Sequence, residues 1–437
     1  MSAKVYRDVV CSFCGSLCDD LVVEVEDNRI ITAKNVCAVG RNRLIHAGAD
    51  IPKLRVNGRD ATQEEAYDEA ARILTEAKAP LVYGLSSTTA EANREAVELA
   101  EILRASLDNP SSYCHGPGVL ARQHVGLPTC TLGEVKNRAD LILVWGANPM
   151  ESHMRHFSRY SVHAKGLYAP EGRKNRKLVV IDVRPTPSSK NADVFLQVTP
   201  GSDFEIAAAL RALARGLRLE GLTDDDLIGG QPIARWKELA GMIKACRYGV
   251  VLFGIGLTQS RGKDLNVEEV IRFVAEMNQY TRFNAIPMRG HANVNGSNQV
   301  FVWQTGFPLA INFSRGYPRF NPGEFSVVDL LNRGDVDACL IVATDPGAHL
   351  THGNVEALKK MPTILLEPTQ TLTTPWANVV IPVAPAGIGV EGTYYRMDNI
   401  PLRLRKILYS PYPSDEEVLH AIKERVKHAQ NSKRKSL

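Results

Sequence analysis

Five of the chain's eight cysteines are spaced for metal chemistry. Cys11, Cys14 and Cys18 form a C-x2-C-x3-C run, and eighteen residues separate Cys18 from Cys37. A cubane iron–sulfur cluster is held by four cysteine thiolates. Four cysteines also suit a structural zinc ion, yet zinc ribbons carry two C-x2-C knuckles and this chain has no second knuckle. The spacing favours the cluster. Cys114 stands apart, in the string Tyr113-Cys114-His115-Gly116-Pro117-Gly118. A lone cysteine beside a histidine in a Gly-Pro-Gly turn is weak evidence by itself, and it gains weight from the four cysteines ahead of it. Cys114 is then the candidate for the single protein ligand of a second, catalytic metal, and the two centres would form one redox unit. The plainer role for a histidine after a buried cysteine is packing. Cys130, Cys246 and Cys339 read as buried structural cysteines.

The composition accommodates such a protein. A length of 437 residues allows about three domains. Hydrophobic residues at 44% and charged residues at 23% are ordinary for a soluble globular chain. A formal charge of +4 is too small on so long a chain to argue for nucleic acid. Much of the excess sits in residues 423–435, which read as a solvated, partly disordered end. No apolar run is long enough to span a bilayer. The first cysteine, at position 11, leaves no room for a signal peptide ahead of it. Both observations point to the cytoplasm, where thiols stay reduced.

Elements that would position these residues are visible as patterns. Residues 4–10 alternate loosely and predict a strand leading into the cluster loop. Residues 21–31 predict a β-branched hairpin turning at Asp27-Asn28, which returns the chain so that Cys37 can meet the first three cysteines. A small β-rich cap over residues 1 to about 50 follows. Pro52 and a polar stretch to Asp60 mark a boundary. Thr62-Gln63-Glu64-Glu65 is a capping box, followed by Ala66, Ala70 and Leu74 at helical spacing. Residues 80–84 predict a buried strand, and Ala92, Ala96, Leu99 and Leu103 the next helix. Four wholly apolar strands follow at 141–145, 178–181, 250–253 and 339–343, with helical segments between them at 203–213 and 267–277. Apolar runs without alternation suit parallel strands buried on both faces, so the architecture is α/β. Residues 377–382 predict a last strand, and a polar, basic helix runs to the C-terminus.

In such sheets ligands bind beyond the carboxyl ends of the strands. Each apolar strand here ends in small or polar residues: Gly146 and Asn148; Asp182, Arg184 and Thr186; Gly254 and Gly256; Thr344 and Asp345. Any one such loop is ordinary punctuation in an α/β protein. Four in one chain favour a large nucleotide-like cofactor. His153, His156 and His163 cluster in sequence, but no cysteine or carboxylate completes a zinc pattern.

Cys11, Cys14, Cys18 and Cys37, then Cys114-His115, then Pro287-Met288-Arg289-Gly290, resemble the molybdopterin oxidoreductases of the formate dehydrogenase branch. The strings Cys-His-Gly-Pro-Gly at 114–118, Trp-Gly-Ala-Asn-Pro at 145–149 and Glu-Gly-Thr-Tyr-Tyr-Arg-Met-Asp-Asn at 391–399 make the chain more closely similar to the B subunits of formylmethanofuran dehydrogenases. The likeness runs along almost the whole chain.

The resemblance implies a molybdopterin-oxidoreductase-like α/β fold. It has a small β-rich iron–sulfur domain at 1–55 completed by parts of 375–437, an α/β domain at 56–112 and 292–374, and a second at 113–291 carrying the metal-ligand cysteine. Both α/β domains would have mainly parallel sheets. It implies a [4Fe-4S] cluster on Cys11, Cys14, Cys18 and Cys37. It also implies tungsten or molybdenum on Cys114, and two molybdopterin guanine dinucleotides held by the strand-end loops. His115 would handle a proton, and Arg289 would hold formate or the oxygens of CO2. A histidine there could equally pack, and an arginine in a Gly-rich loop could pair with a carboxylate.

The reaction implied is reversible reduction of CO2 to formate with electrons delivered through the cluster, the formate then being condensed with methanofuran on a partner. The C-terminal β-barrel of formate dehydrogenases is expected as a separate pterin-capping subunit. Further expected partners are a zinc-dependent amidohydrolase-like subunit and ferredoxin-type electron carriers, with no nucleic acid and no membrane span. Formate dehydrogenases place a lysine two residues after the fourth cluster cysteine, where this chain has Val39, with Arg41 and Arg43 nearby. The alternatives are a stand-alone formate dehydrogenase, against which the absent barrel speaks, and a non-redox scaffold of a formyltransferase/hydrolase complex, against which the five cysteines speak.

Overall fold

A computed structural model describes residues 3–435, with side chains to position 432. The chain divides into two compact units. The first comprises the chain up to Tyr113, His291–Arg396, and the chain from Pro401 on. The second comprises Cys114–Gly290 and Met397–Ile400.

The first unit begins with an antiparallel three-stranded sheet, Lys4–Val9, Leu21–Glu26 and Arg29–Lys34. Asp27 and Asn28 turn its hairpin with positive φ (45° and 59°), a geometry that Asn and Asp tolerate and that matches the twist of the strands. A nine-stranded sheet forms the body of the unit. Its five central strands are parallel, in the order Ser106–Asp108, Pro80–Gly84, Ala338–Val342, Thr363–Glu367, Val379–Pro382. In chain order that is 2-1-3-4-5, so the direction of winding reverses between Pro80–Gly84 and Ala338–Val342.

The second unit holds a five-stranded, wholly parallel sheet. Its order is Val194–Gln197, Lys177–Asp182, Leu141–Trp145, Tyr248–Phe253, Arg282–Pro287. This is 3-2-1-4-5, and winding reverses between Leu141–Trp145 and Tyr248–Phe253. All five residues of Leu141–Trp145 are buried, as expected of a strand covered by helices on both faces.

Four features depart from the sequence reading. The polar stretch before Asp60 is no plain boundary: Arg55–Val56 and Arg59–Asp60 make a hairpin paired antiparallel to Val379–Pro382. Its signal is Asn57-Gly58, both with positive φ, and edge strands this short carry no hydrophobic pattern. Strands also form at Arg282–Pro287 and Thr363–Glu367, which the four apolar runs did not include. Val379–Pro382 is not the last strand, since Gly392–Tyr395 and Pro401–Leu404 pair after it. Finally, residues 423–435 are not a disordered tail but the second half of the helix Asp415–Lys435. Val418, Leu419, Ile422 and Val426 are fully buried along one stripe, each contributing roughly 1.5–3 kcal/mol. Lys423 is drawn in with them, its Nζ 2.6 Å from Glu95 and 2.5 Å from Glu98. No described helix is long and apolar enough to cross a membrane.

Candidate metal centres

The four N-terminal cysteines share one pocket of the first unit. Cys11 and Cys18 are buried, and Cys14 and Cys37 are half-buried. The loop closes on itself through Cys11 N–H donating to Cys18 O (2.8 Å) and Leu17 N–H donating to Cys14 O (3.0 Å). Leu17 takes a positive φ of 35° to do so. Cys37 caps the helix Ala38–Ile45, its Sγ accepting from Gly40 N at 3.4 Å. The Cys11 thiol is pushed far up by burial, then by the charges of Cys14, Cys18 and Cys37, while the Phe13 amide opposes the rise. Burial likewise raises Cys14, opposed by the Ser16 amide and by the charge of Arg43. Crowded, desolvated thiols of this kind are stable as thiolates only when cations neutralise them.

Two further features lie beside these sulfurs. A Cβ on Gly40 would come 2.7 Å from Val36, while Cys11 Sγ and Cys37 Sγ would sit at the ordinary contact distances of 3.5 Å and 3.6 Å. The Ser16 hydroxyl is buried beside Cys14 with no hydrogen bond of good geometry. Arg43 is the basic residue whose charge reaches Cys14, and its guanidinium lies 5.6 Å over the Phe13 ring. Val39 is exposed. Among the described residues no three His, Cys, Asp or Glu side chains stand close enough to hold a single metal ion.

In the second unit, Cys114 and His115 immediately precede the helix Gly116–Val125. A helix N-terminus favours an adjacent thiolate. The Cys114 carbonyl accepts from Thr258 Oγ1 (2.8 Å) and Gln259 Nε2 (3.3 Å), which ties it to the short helix Ile255–Thr258 after Tyr248–Phe253. Burial raises the Cys114 thiol and Arg289 lowers it. Arg289 follows the strand Arg282–Pro287 and is 2% exposed. Burial and the repulsion of Arg122 push it down to about 9, and the Cys114 charge supports it. His115 is pushed down to about 3 by burial, then by Arg289, Arg122 and His153. Neither of its ring nitrogens has a hydrogen bond of good geometry. A buried imidazole left in this state is costly unless it serves something outside the chain. Cys114, His115 and Arg289 are thus brought into one electrostatic neighbourhood.

The strand-end residues fall into two groups. Gly146, Gly254 and Gly256 lie at the winding reversal of the second unit and meet one another. Gly256 N–H donates to Gly146 O at 3.0 Å, and a Cβ on Gly254 would come within 2.4 Å of that oxygen. Their smallness is used by chain packing. Asn148 Oδ1 accepts from Ser188 Oγ at 2.6 Å. Thr186 is buried in mutual hydrogen bonds with Ser189. Asp182 accepts from Arg184 N at 3.4 Å, and Arg184 is exposed. In the first unit, Asp345 accepts from Leu372 N, Thr373 N and Thr373 Oγ1. Thr344 differs: its hydroxyl is buried without a hydrogen bond, as is that of Ser86. Both follow the two strands that flank the reversal of that sheet, where ligands of open α/β sheets bind. Sequence reasoning misses Ser86 because a serine after a strand carries no signal of its own.

The three histidines do not form a metal site. His153 bonds to Ser152 and to the Arg289 carbonyl, His156 to Ser161, and His163 stacks edge-on with Phe157.

No protein-family profile matches the chain. It is 46% identical over 434 residues to the B subunit of the tungsten-containing formylmethanofuran dehydrogenase 2 of Methanocaldococcus jannaschii, covering 97% of this chain and 99% of that one. Among solved structures, a chain of the formyltransferase/hydrolase complex of Methylorubrum extorquens superposes with a TM-score of 0.71 at 23% identity, covering 86% of this chain and 99% of the other. Acetylene hydratase from Pelobacter acetylenicus gives a TM-score of 0.70 at 12% identity, over 97% of this chain and 69% of the other. The two structures establish a shared fold.

Proposed function

The chain belongs to the family of formylmethanofuran dehydrogenase B subunits, and from that premise we propose that it is the redox subunit of such an enzyme, interconverting CO2 and formate. Residues 1–55 serve as the cluster-bearing part, 56–112 with 292–374 as one α/β part, and 113–291 as the part carrying Cys114. Cys11, Cys14, Cys18 and Cys37 would hold a [4Fe-4S] cluster that carries electrons, and Cys114 would hold tungsten or molybdenum. Two pterin guanine dinucleotides would lie along the strand ends, one at each winding reversal, with the hydroxyls of Ser86 and Thr344 among their partners. When bound, the metal–dithiolene centre supplies the two-electron chemistry.

The remaining work falls to this chain's own side chains. Arg289, cationic and desolvated, holds the carboxylate of formate or the oxygens of CO2 as charge develops on them. His115 is neutral, with no hydrogen bond of good geometry at either ring nitrogen and the Met288 backbone beside it. It takes up the proton that formate oxidation yields and returns it in the reverse direction. The thiol of Cys114 loses its proton on metal binding, since burial keeps the free thiol protonated. The formate then leaves for a zinc-dependent amidohydrolase-like subunit that joins it to methanofuran. A separate β-barrel subunit closes over the pterins, and ferredoxin-type carriers feed the cluster.

One observation carries the reading: a thiol, an unsatisfied buried imidazole and a buried guanidinium gathered at the edge of a 3-2-1-4-5 sheet, in a chain 46% identical to a tungsten-containing relative. Elemental analysis of the native complex tests it, with about four irons per chain and tungsten or molybdenum expected. A complex with this chain intact and neither heavy metal overturns it. The likeness to a formyltransferase/hydrolase complex raises a scaffold without redox centres as a second reading. A brown charge-transfer band in anaerobically purified protein excludes it.

A further inference from the structure

We infer that His153 is a positioning residue for Arg289, fixing the backbone from which the substrate-holding guanidinium projects. The inference rests on the assignment of Arg289 made above.

His153 closes the short helix Pro149–Ser152, which follows the strand Leu141–Trp145. It is 2% exposed. Its Nε2 lies 2.8 Å from the Arg289 carbonyl oxygen, and its Nδ1 lies 2.8 Å from Ser152 Oγ. A carbonyl oxygen only accepts, so the proton must sit on Nε2. Burial lowers the pKa of this imidazole, against the pull of the Arg289 carbonyl, so the ring is neutral and Nδ1 accepts from Ser152. The Ser152 hydroxyl has one proton, shared between Nδ1 and Asn148 O at 3.0 Å. The result is a single tautomer held at both nitrogens.

The place of this bond matters. Met288 N–H donates to Phe253 O at 2.8 Å, which fixes the chain on one side of Arg289. On the other side is Gly290, the last residue before the chain leaves the second unit. A Cβ on Gly290 would meet nothing within 4 Å. The His153 hydrogen bond thus holds a peptide whose next residue, Gly290, is exposed. Losing it removes one hold on the Arg289 backbone and shifts the base from which the guanidinium projects. A misplacement of about 1 Å in a substrate-holding group costs up to ~100-fold in rate.

The test uses the purified complex, with formate oxidation followed by viologen reduction and metal content measured for every variant. His153→Leu removes the N–H donor and should raise the KM for formate ~10- to 100-fold, with a smaller fall in kcat and unchanged iron and tungsten or molybdenum. His153→Gln can bring an N–H to the place of Nε2 and should restore KM to within about threefold. His153→Asn reaches no further than Nδ1 and should not. If the leucine variant fails to assemble, the glutamine and asparagine pair decides. An equal KM for formate in those two, or a leucine variant with the parental KM, overturns the inference. Absence of formate oxidation in the parental complex would instead refute the assignment of Arg289.

Discussion

The chain builds two thiol sites by opposite means. Around Cys11, Cys14, Cys18 and Cys37 the loop supplies amide N–H groups, from Phe13, Ser16 and Gly40, and the sulfurs crowd one another. Around Cys114 and His115 the neighbours are cationic or potentially basic side chains: Arg289 beside both, and Arg122 and His153 beside His115. Amides pointed at sulfur suit a centre that changes charge without changing ligands. Guanidinium and imidazole groups suit a place where an anion and a proton arrive and leave. On the proposed assignment, the same kind of ligand atom would serve electron transfer or chemistry according to what stands beside it.

Three substitutions sharpen or break that contrast. The largest effect is expected from Cys114→Ala, which should abolish formate oxidation with viologen dyes while the EPR signal of the reduced cluster persists. Retained activity would mean that the two sites are not divided as described. Arg289→Lys keeps the charge but loses the planar fork, and should raise the KM for formate roughly 10- to 100-fold with metal content unchanged. The smallest effect is expected from Gly40→Ala. Its Cβ would press on Val36 at 2.7 Å, costing roughly 1–3 kcal/mol. It should speed thermal bleaching of the iron–sulfur absorption while leaving the KM for formate alone. A changed KM there would show that the two pockets are coupled.

How much of this is legible in the sequence follows the same division. The grouping of the four N-terminal cysteines is visible because three of them lie within eight residues and the fourth returns by a hairpin marked by Asp27-Asn28. The parallel sheets are visible because strands buried on both faces are apolar throughout, as in Leu141–Trp145. The Arg55–Asp60 hairpin is not, since an edge ribbon of two-residue strands has no periodicity to detect. The helix Asp415–Lys435 is expected from the sequence, but its docking is not, because its charged residues mask the stripe of Val418, Leu419, Ile422 and Val426. At the second site Cys114 and His115 stand out beside the other four cysteines, whereas Arg289 and the roles of all three are suggested only by a family likeness. The role of His153 stays hidden because a hydrogen bond to a backbone oxygen 136 residues away leaves no trace in local spacing.

The floor under the cluster loop has a bearing on how the protein is made. Val10 and Leu17 pack on Ala292, Tyr394 and Leu404, and Tyr394 Oη–H donates to Ser87 O at 2.5 Å. During synthesis the four thiols therefore leave the ribosome hundreds of residues before the wall that shelters them. Until that wall arrives they are open to oxygen and to stray metals, and domain-by-domain folding cannot help. A cluster placed there as proposed would have to wait for a nearly finished polypeptide, since a nascent chain stalled short of Leu404 would present the loop with nothing beneath it.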